Sequence, residues 1–507
     1  LELAYIILLI LLAVYVPFYI YVRMGKLEKY GFVKYGPCVM IKTKWGLRLM
    51  ERLSKYRRVW NAFGTISKVI TVILMAFMVF IVVIDLTMIP QMMSSSTRIG
   101  PEYILAIPGL NPMLPLVYGV IGLIVAMVVH ELAHGIQSRA NDIDVDASGL
   151  LYAVVPVGAF VEPNNEQLQK SSRKAQMHVF SAGIAINTVV AVVLFLVMSF
   201  GMLGSLAPQY GDNPAVGGLS DGSPAFNEGI TNYSIITSFG ATDPDDLRFE
   251  FNPSNLVQVR YDTADSKDNI ANMRLGVYVV AITADSPASN FKSFFEKRFI
   301  YKMDIGDGEG LQLVSSLSKF SELLSKTHGN QSVIVVTLAS DGTDERTGSI
   351  TLASRNGIGF LGVSTNISGM GFTTPNEVLA GAKNPFHNAD SIQDVGMNMI
   401  SYIGAPFRGY SPIPEDMHWW YSDSQIFWVS LSTMFWIFWL NLVLAVFNAL
   451  PAIPFDGGYL FRGGVDWIAD KFKLTGDKKE ATVNMVSNGV SMFMIFAFML
   501  IVMVMLI

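Results

Sequence analysis

Six stretches of the chain carry almost no charge over roughly the length that a helix needs to cross a bilayer. They are residues 3–22, 69–84, 113–129, 179–203, 426–450 and 488–507. About 20 predominantly apolar residues span the hydrocarbon core as a helix, so each stretch is predicted to be a transmembrane span. Two shorter patterns interrupt this plan. Residues 150–162 (LLYAVVPVGAFVE) are apolar, rich in β-formers and punctuated by Pro156 and Gly158. They predict a strand or hairpin dipping into the bilayer, with a buried plugging loop as the alternative. Residues 30–46 (YGFVKYGPCVMIKTKWG) are read as interfacial strands without chemistry. Between the fourth and fifth spans lies a polar segment, 204–425. VYVVAITADSPAS, FIYKMDIG and FSELLSKTHGNQSVIVVTLASDG follow one another in it. That order predicts a strand, a Ser-Pro-Ala turn, a strand, a short helix and a strand. Ser-Pro-Ala occurs at 223–225 and again at 286–288, which suggests two such units.

Composition agrees with a chain largely in lipid. Only 15% of the 507 residues are charged, against about 25% in soluble domains. This balance argues against disorder and against a nucleic-acid binder. Cys38 is the single cysteine, which excludes an intrachain disulfide and a Cys-rich zinc module. Charge also sets orientation. The loop 23–64 holds 11 Lys and Arg against Glu28 and Glu51, and the loop 451–487 adds Arg462, Lys471, Lys473, Lys478 and Lys479. The positive-inside rule places both in the cytoplasm. Six spans then put both termini outside. The first stretch, which lacks a basic leader, is read as a retained span rather than a signal peptide. The segment 204–425 falls outside, with 14 Lys and Arg against 25 Asp and Glu, a net charge of −11. The rest of the chain is then +6, within a total of −5. The expected organisation is 1–64, first span and basic cytoplasmic loop; 65–203, spans two to four; 204–425, the outside region; and 426–507, spans five and six.

The third apolar run leads straight into His130-Glu131-Leu132-Ala133-His134. Positions i and i+4 share a helix face, so both imidazoles can reach one zinc ion, with Glu131 between them as a base. Ionisable groups at membrane depth cost about 2.5–3.5 kcal/mol each on insertion scales, which makes them functional candidates. A catalytic zinc wants a third protein ligand and one open position. His328, His387 and His418 fall in the outside segment, and His178 is conceivable. Asp456 is the better candidate, in Asn448-Ala-Leu-Pro451-Ala-Ile-Pro454-Phe-Asp456-Gly457-Gly458. Spans three and five run in the same direction, so His130 and Asp456 arrive at one depth near the cytoplasmic side. The prolines can break the helix and turn Asp456 back toward the histidines. Asp142, Asp144 and Asp146 resemble a calcium loop but lack its Gly and its terminal Glu, so they are read as solvated charge. Trp419, Trp420 and Tyr421 are read as an interfacial aromatic belt.

HELAHG at 130–135, GAFVEP at 158–163, SAGIAIN at 181–187 and NALPAIPFDGG at 448–458 occur in that order. With them the sequence resembles the site-2 protease family of intramembrane zinc metalloproteases, over roughly half the chain. The family more often has Leu where Phe455 stands, a position that is not a ligand. The six apolar stretches give a polytopic α-helical membrane protein with about six transmembrane helices, and the resemblance implies that it is a metalloprotease. It further implies Zn2+ held by His130, His134 and Asp456, with Glu131 as general base. Asn187 and Asn448 would position substrate or stabilise the oxyanion, with an interhelical hydrogen bond as the structural alternative for each. The outside α+β segment resembles a PDZ domain, an insertion known in that family, which would capture an extended peptide or a carboxyl terminus. Expected partners are single-span membrane-protein substrates and the lipid bilayer of the plasma membrane, with no nucleic acid. The rival readings are a membrane-anchored peptidase acting on soluble peptides and a non-proteolytic metal-binding receptor or transporter.

Overall fold

The computed structural model describes all residues except 1, 45, 95–107, 109, 110, 113, 154, 241–249, 388, 405, 407–411 and 507. Met113 at the start of the third predicted span, Val154 inside the predicted hairpin, and 241–249 and 407–411 of the polar segment lie outside the described residues. The chain divides into two compact units. One comprises residues 1–204, 400–412 and 425–507, the other 205–399 and 413–424.

The first unit is helical with one small sheet. Its elements begin with α1 (Glu2–Arg23), β1 (Phe32–Tyr35), β2 (Cys38–Thr43), α2 (Leu47–Ser54) and α3 (Arg57–Ser94). There follow α4 (Leu116–Ala140), β3 (Val145–Ala153), β4 (Val155–Pro163), α5 (Asn165–Lys170) and α6 (Arg173–Leu196). The unit ends with α7 (Gln425–Asn448), α8 (Asp456–Lys471) and α9 (Gly476–Leu506). Among the described residues, α3, α4, α6, α7 and α9 are long and apolar enough to cross a membrane. Each covers most of one of the second to sixth predicted stretches. The first predicted stretch lies in α1. Helix α3 has 38 residues where the apolar pattern marked 16. At 1.5 Å per residue it runs about 57 Å, well past the hydrocarbon core, because amphipathic turns at its ends continue the helix beyond the apolar stretch.

The two β-rich patterns form one antiparallel sheet in the order β1-β2-β3-β4. Residues 30–46 supply its first hairpin and 145–163 its second. Lys42 of β2 pairs with Gly149 of β3, and the Lys42 ammonium reaches on to Glu162 of β4 at 2.6 Å. Strand β4 closes the order, so its second edge has no strand partner among the described residues. Tyr15 of α1 packs with Val22 and Val39 and donates its hydroxyl to the Pro37 carbonyl at 2.6 Å, which anchors α1 to this sheet. Helices α4, α6 and α7 pack closely. A Cβ on Gly122 of α4 would lie 2.8 Å from the Trp436 carbonyl oxygen of α7, so glycine is needed for that approach. Residues 400–412, inside the polar segment, belong to this unit. Trp439 donates its indole N–H to the Ile403 carbonyl at 2.8 Å, and Tyr402 packs on Phe195 and Phe438.

The second unit is built on one large sheet whose main path is β13-β12-β10-β9-β16-β17-β5-β6-β7-β8. In chain order these are β5 (Ala215–Leu219), β6 (Ile235–Phe239), β7 (Leu256–Asp262), β8 (Asn269–Arg274), β9 (Val277–Ile282) and β10 (Arg298–Asp304). Then come β11 (Gln312–Leu313), β12 (Ser332–Ala339), β13 (Glu345–Thr351), β14 (Ala353–Arg355), β15 (Ile358–Phe360), β16 (Val363–Ile367) and β17 (Met370–Thr373). The predicted strand, Ser-Pro turn, strand, helix and strand are β9, Ser286-Pro287, β10, the helix Leu317–Ser325 and β12. Its core includes Phe239, Val277, Phe295, Ile300, Leu323 and Val335.

The two Ser-Pro-Ala turns of this unit are held by matching backbone bonds. Ala225 donates its N–H to the Ser368 carbonyl and Ser220 to that of Gly369, at 3.2 and 2.9 Å. In the same way Ala288 donates to Leu361 and Thr283 to Gly362, at 3.0 and 2.9 Å. Gly369 and Gly362 have φ of +98° and +87°, and a Cβ on either would stand 2.1 Å from the serine Cβ of its Ser-Pro-Ala turn. The two Ser-Pro-Ala turns are therefore clasped alike, by segments only seven residues apart. The aromatics before α7 do not form a belt. Trp420 is fully buried and donates to the Tyr233 carbonyl at 3.0 Å, Tyr421 donates to the Pro375 carbonyl at 2.8 Å, and Trp419 packs on Tyr210. Partner carbonyls within the β unit satisfy the polar edges that an interface would otherwise hydrate.

Candidate metal centre

Helix α4 carries His130 and His134 one turn apart, with ring centroids 4.7 Å apart. Their Nε2 atoms lie 3.1 Å from each other, and each lies 3.1 Å from Asp456 Oδ2. Both histidines are buried. Asp456 gets there because α7 stops at Asn448 and a tight turn follows before α8. In that turn Phe455 donates to the Ala452 carbonyl at 2.8 Å and Ile453 donates to Ser491 Oγ at 3.1 Å. The Ile453–Pro454 bond is cis. A Cβ on Gly457 or Gly458 would stand 2.3 and 2.4 Å from backbone atoms of Ala449 and Ala452, so the turn closes only on glycine.

The trio fits a tetrahedral metal. Zinc with bonds of about 2.0–2.1 Å spaces its ligands about 3.3 Å apart, and the three donors form a triangle with 3.1 Å edges. Among the described residues this is the group of three or more His, Cys, Asp or Glu able to hold an ion. His134 donates its Nδ1–H to the Val179 carbonyl of α6 at 2.8 Å. That bond fixes the tautomer with a free lone pair on Nε2. His130 turns its Nδ1 toward the fully buried Asn187 amide, at 3.3 Å. Behind the trio sits Gly183 of α6, where a Cβ would lie 2.5 Å from His134 Nε2. The family-like segment SAGIAIN thus supplies both the floor of the site and a partner for one ligand.

Glu131 stands beside the trio, and its Oε2 accepts the Val161 N–H of β4 at 2.8 Å. Residues Glu131, Val161, Asn448 and Asp456 line a cavity of about 1110 Å³. Farther along its wall lies a network of charges. Arg173 Nε reaches Asp466 at 2.6 Å, and Lys479 reaches Asp466 and Asp470 at 2.8 and 2.7 Å. This network ties the starts of α6 and α9 to α8. Nothing in the sequence spacing announces it, since Arg173 and Asp470 also pair across 297 positions.

The remaining sequence candidates separate. His178 is buried against Gly64 and Gln137, away from the trio. His328, His387 and His418 belong to the second unit. Asp142 pairs with Arg57, Asp144 with Arg139 at 2.6 Å, and Asp146 accepts from Asn164 at 3.2 Å. These aspartates are ion-paired and hydrogen-bonded rather than merely solvated, and they do not converge.

Comparison with known proteins yields a match to peptidase family M50 over residues 118–498. An uncharacterized protein of Methanocaldococcus jannaschii, MJ0971, is 31% identical over 196 residues, 38% of this chain and 51% of that protein. The chain spans about half the length of this curated relative.

Proposed function

Because the chain belongs to peptidase family M50, the site-2 protease family, and is an integral membrane metallopeptidase of that type, we propose that it is a zinc endopeptidase of regulated intramembrane proteolysis. Its substrates are single-span membrane proteins, cut within or near the span. The observation that carries this reading is the convergence of His130, His134 and Asp456 beside Glu131 in a cavity whose walls include apolar, membrane-length helices. When bound, zinc would lower the pKa of a coordinated water to about 7 and polarise the scissile carbonyl. Glu131 takes a proton from the attacking water and returns it to the leaving amine. The Val161 N–H holds Glu131 in place for both transfers. Asn448, on the cavity wall, is the candidate to donate to the developing oxyanion.

A helical substrate keeps its carbonyls bonded and covered, so it must be extended before attack. The edge of β4 that faces Glu131, which no other strand occupies among the described residues, offers the means. An extended segment pairs with that edge and is laid beside Glu131. The basic loops 23–64 and 451–487 face the cytoplasm and the second unit lies outside the plasma membrane. The two turns clasped alike support two PDZ-like units there, which capture an extended peptide or a carboxyl terminus and so select substrates.

The test is cleavage of a single-span substrate by the purified full chain in detergent, beside a soluble peptide of the same sequence. Glu131→Gln is expected to lower the rate by about 10²–10⁴, a chelator to abolish it, and the soluble peptide to be the poorer substrate. Equal cleavage by Glu131→Gln, or indifference to the chelator, overturns the mechanism. Preference for the soluble peptide supports a membrane-anchored peptidase instead.

A further inference from the structure

Asn187 and Asn448 are indistinguishable as candidates in the sequence, but the structure separates them. Asn448 lines the cavity with Glu131 and Asp456, whereas Asn187 does not and is fully buried. A group with no surface on the cavity has no route to the substrate. Among the described residues its side-chain partner is His130, with Nδ2 at 3.3 Å from Nδ1, and its Oδ1 is buried without a partner.

The chemistry of the metal trio decides which amide atom belongs at that contact. His130 points Nε2 at Asp456 and His134, so Nε2 must keep its lone pair for the ion. The ring proton then sits on Nδ1 and faces Asn187. An amide NH₂ cannot accept that proton, while an amide oxygen can. Half a turn of the amide exchanges its oxygen and nitrogen without moving any other group. It gives Oδ1 a partner and moves Nδ2 to the place Oδ1 now holds, so the choice rests on the His130 proton. His134 has the same arrangement with a different acceptor, since its Nδ1–H goes to the Val179 carbonyl on the same helix. One histidine is oriented by backbone, the other by a side chain.

Resting on the metallopeptidase reading, we propose that Asn187 is a positioning residue that accepts the Nδ1–H of His130 through Oδ1 and thereby fixes the ligating tautomer, without touching substrate. An oxyanion or substrate role makes a different prediction. It leaves metal affinity untouched and lowers turnover alone.

The experiment is zinc affinity of the purified full chain, by competition with a chromogenic chelator, for wild type, Asn187→Leu and Asn187→Asp. Thermal unfolding is followed in parallel. Asn187→Leu removes the acceptor and is expected to weaken zinc binding about 10–100-fold, as for other orienting partners of metal-bound histidines. Asn187→Asp keeps an acceptor in the same place and is expected to restore most of that affinity. Wild-type affinity in Asn187→Leu overturns the proposal, and so does a loss in Asn187→Asp as deep as in Asn187→Leu. A wild-type chain that binds no zinc sinks the metallopeptidase reading itself, which is a separate failure.

Discussion

Gly183 shows how tightly the metal site is enclosed. A Cβ there would stand 2.5 Å from His134 Nε2 and 2.6 Å from His130 Cε1, so both rings must shift from the positions in which they meet Asp456. Gly183→Ala is therefore expected to abolish metal binding while leaving the helices intact. Zinc content after purification measures the first, and the far-ultraviolet circular dichroism spectrum the second. Stoichiometric zinc in this variant contradicts the geometry. At this scale the sequence pointed to residues that the fold brings together and was silent about their surroundings. HExxH places two imidazoles on one helix face wherever the helix sits, since the spacing is a property of the helix alone. Asp456 was reachable by counting spans. The roles of Gly183 and the Val161 N–H were not, because they depend on which face of α6 and which edge of β4 meet α4.

Strand β4 carries the main prediction at the scale of elements. Donors alternate between the two edges of an antiparallel strand. The Val161 N–H points away from β3, toward Glu131, so the Ala159 N–H points the same way. Proline is tolerated where a strand's N–H faces outward. Ala159→Pro should thus keep the β3–β4 pairing and bound zinc, yet remove one donor from the edge offered to substrate. Cleavage of a single-span substrate is expected to fall about two- to tenfold, the loss of one hydrogen bond between uncharged groups. Unchanged cleavage with intact zinc binding counts against substrate pairing on β4. The hairpin itself was legible in the β-formers of 150–162. The partnership of this hairpin with residues 32–43 was not, because the two halves of the sheet lie over a hundred positions apart. The repeated Ser-Pro-Ala likewise drew attention to two turns. Only the fold showed that one short segment, 361–369, clasps both copies.

The whole molecule divides by charge, and that division is testable with a native probe. Cys38, the one cysteine, is partly exposed on β2 within the basic loop. A membrane-impermeant thiol reagent applied to intact cells is expected to spare it and to label it after lysis. The variant Asp265→Cys, at an exposed position of the second unit, should be labelled without lysis. The opposite pattern reverses the orientation. What the sequence determined by itself was the solvent preference of each segment and the chemistry of isolated motifs. Charge-free stretches favour lipid over water, and His-Glu-His on a helix puts both imidazoles on one face, through local physics that needs no partner. What only the tertiary structure decided was convergence. Three donor atoms meeting at 3.1 Å, a carboxylate held by a strand's amide, and one asparagine on the cavity wall with another buried against His130 all depend on how distant segments pack. Packing is set by complementary shape across hundreds of residues, which no local pattern encodes.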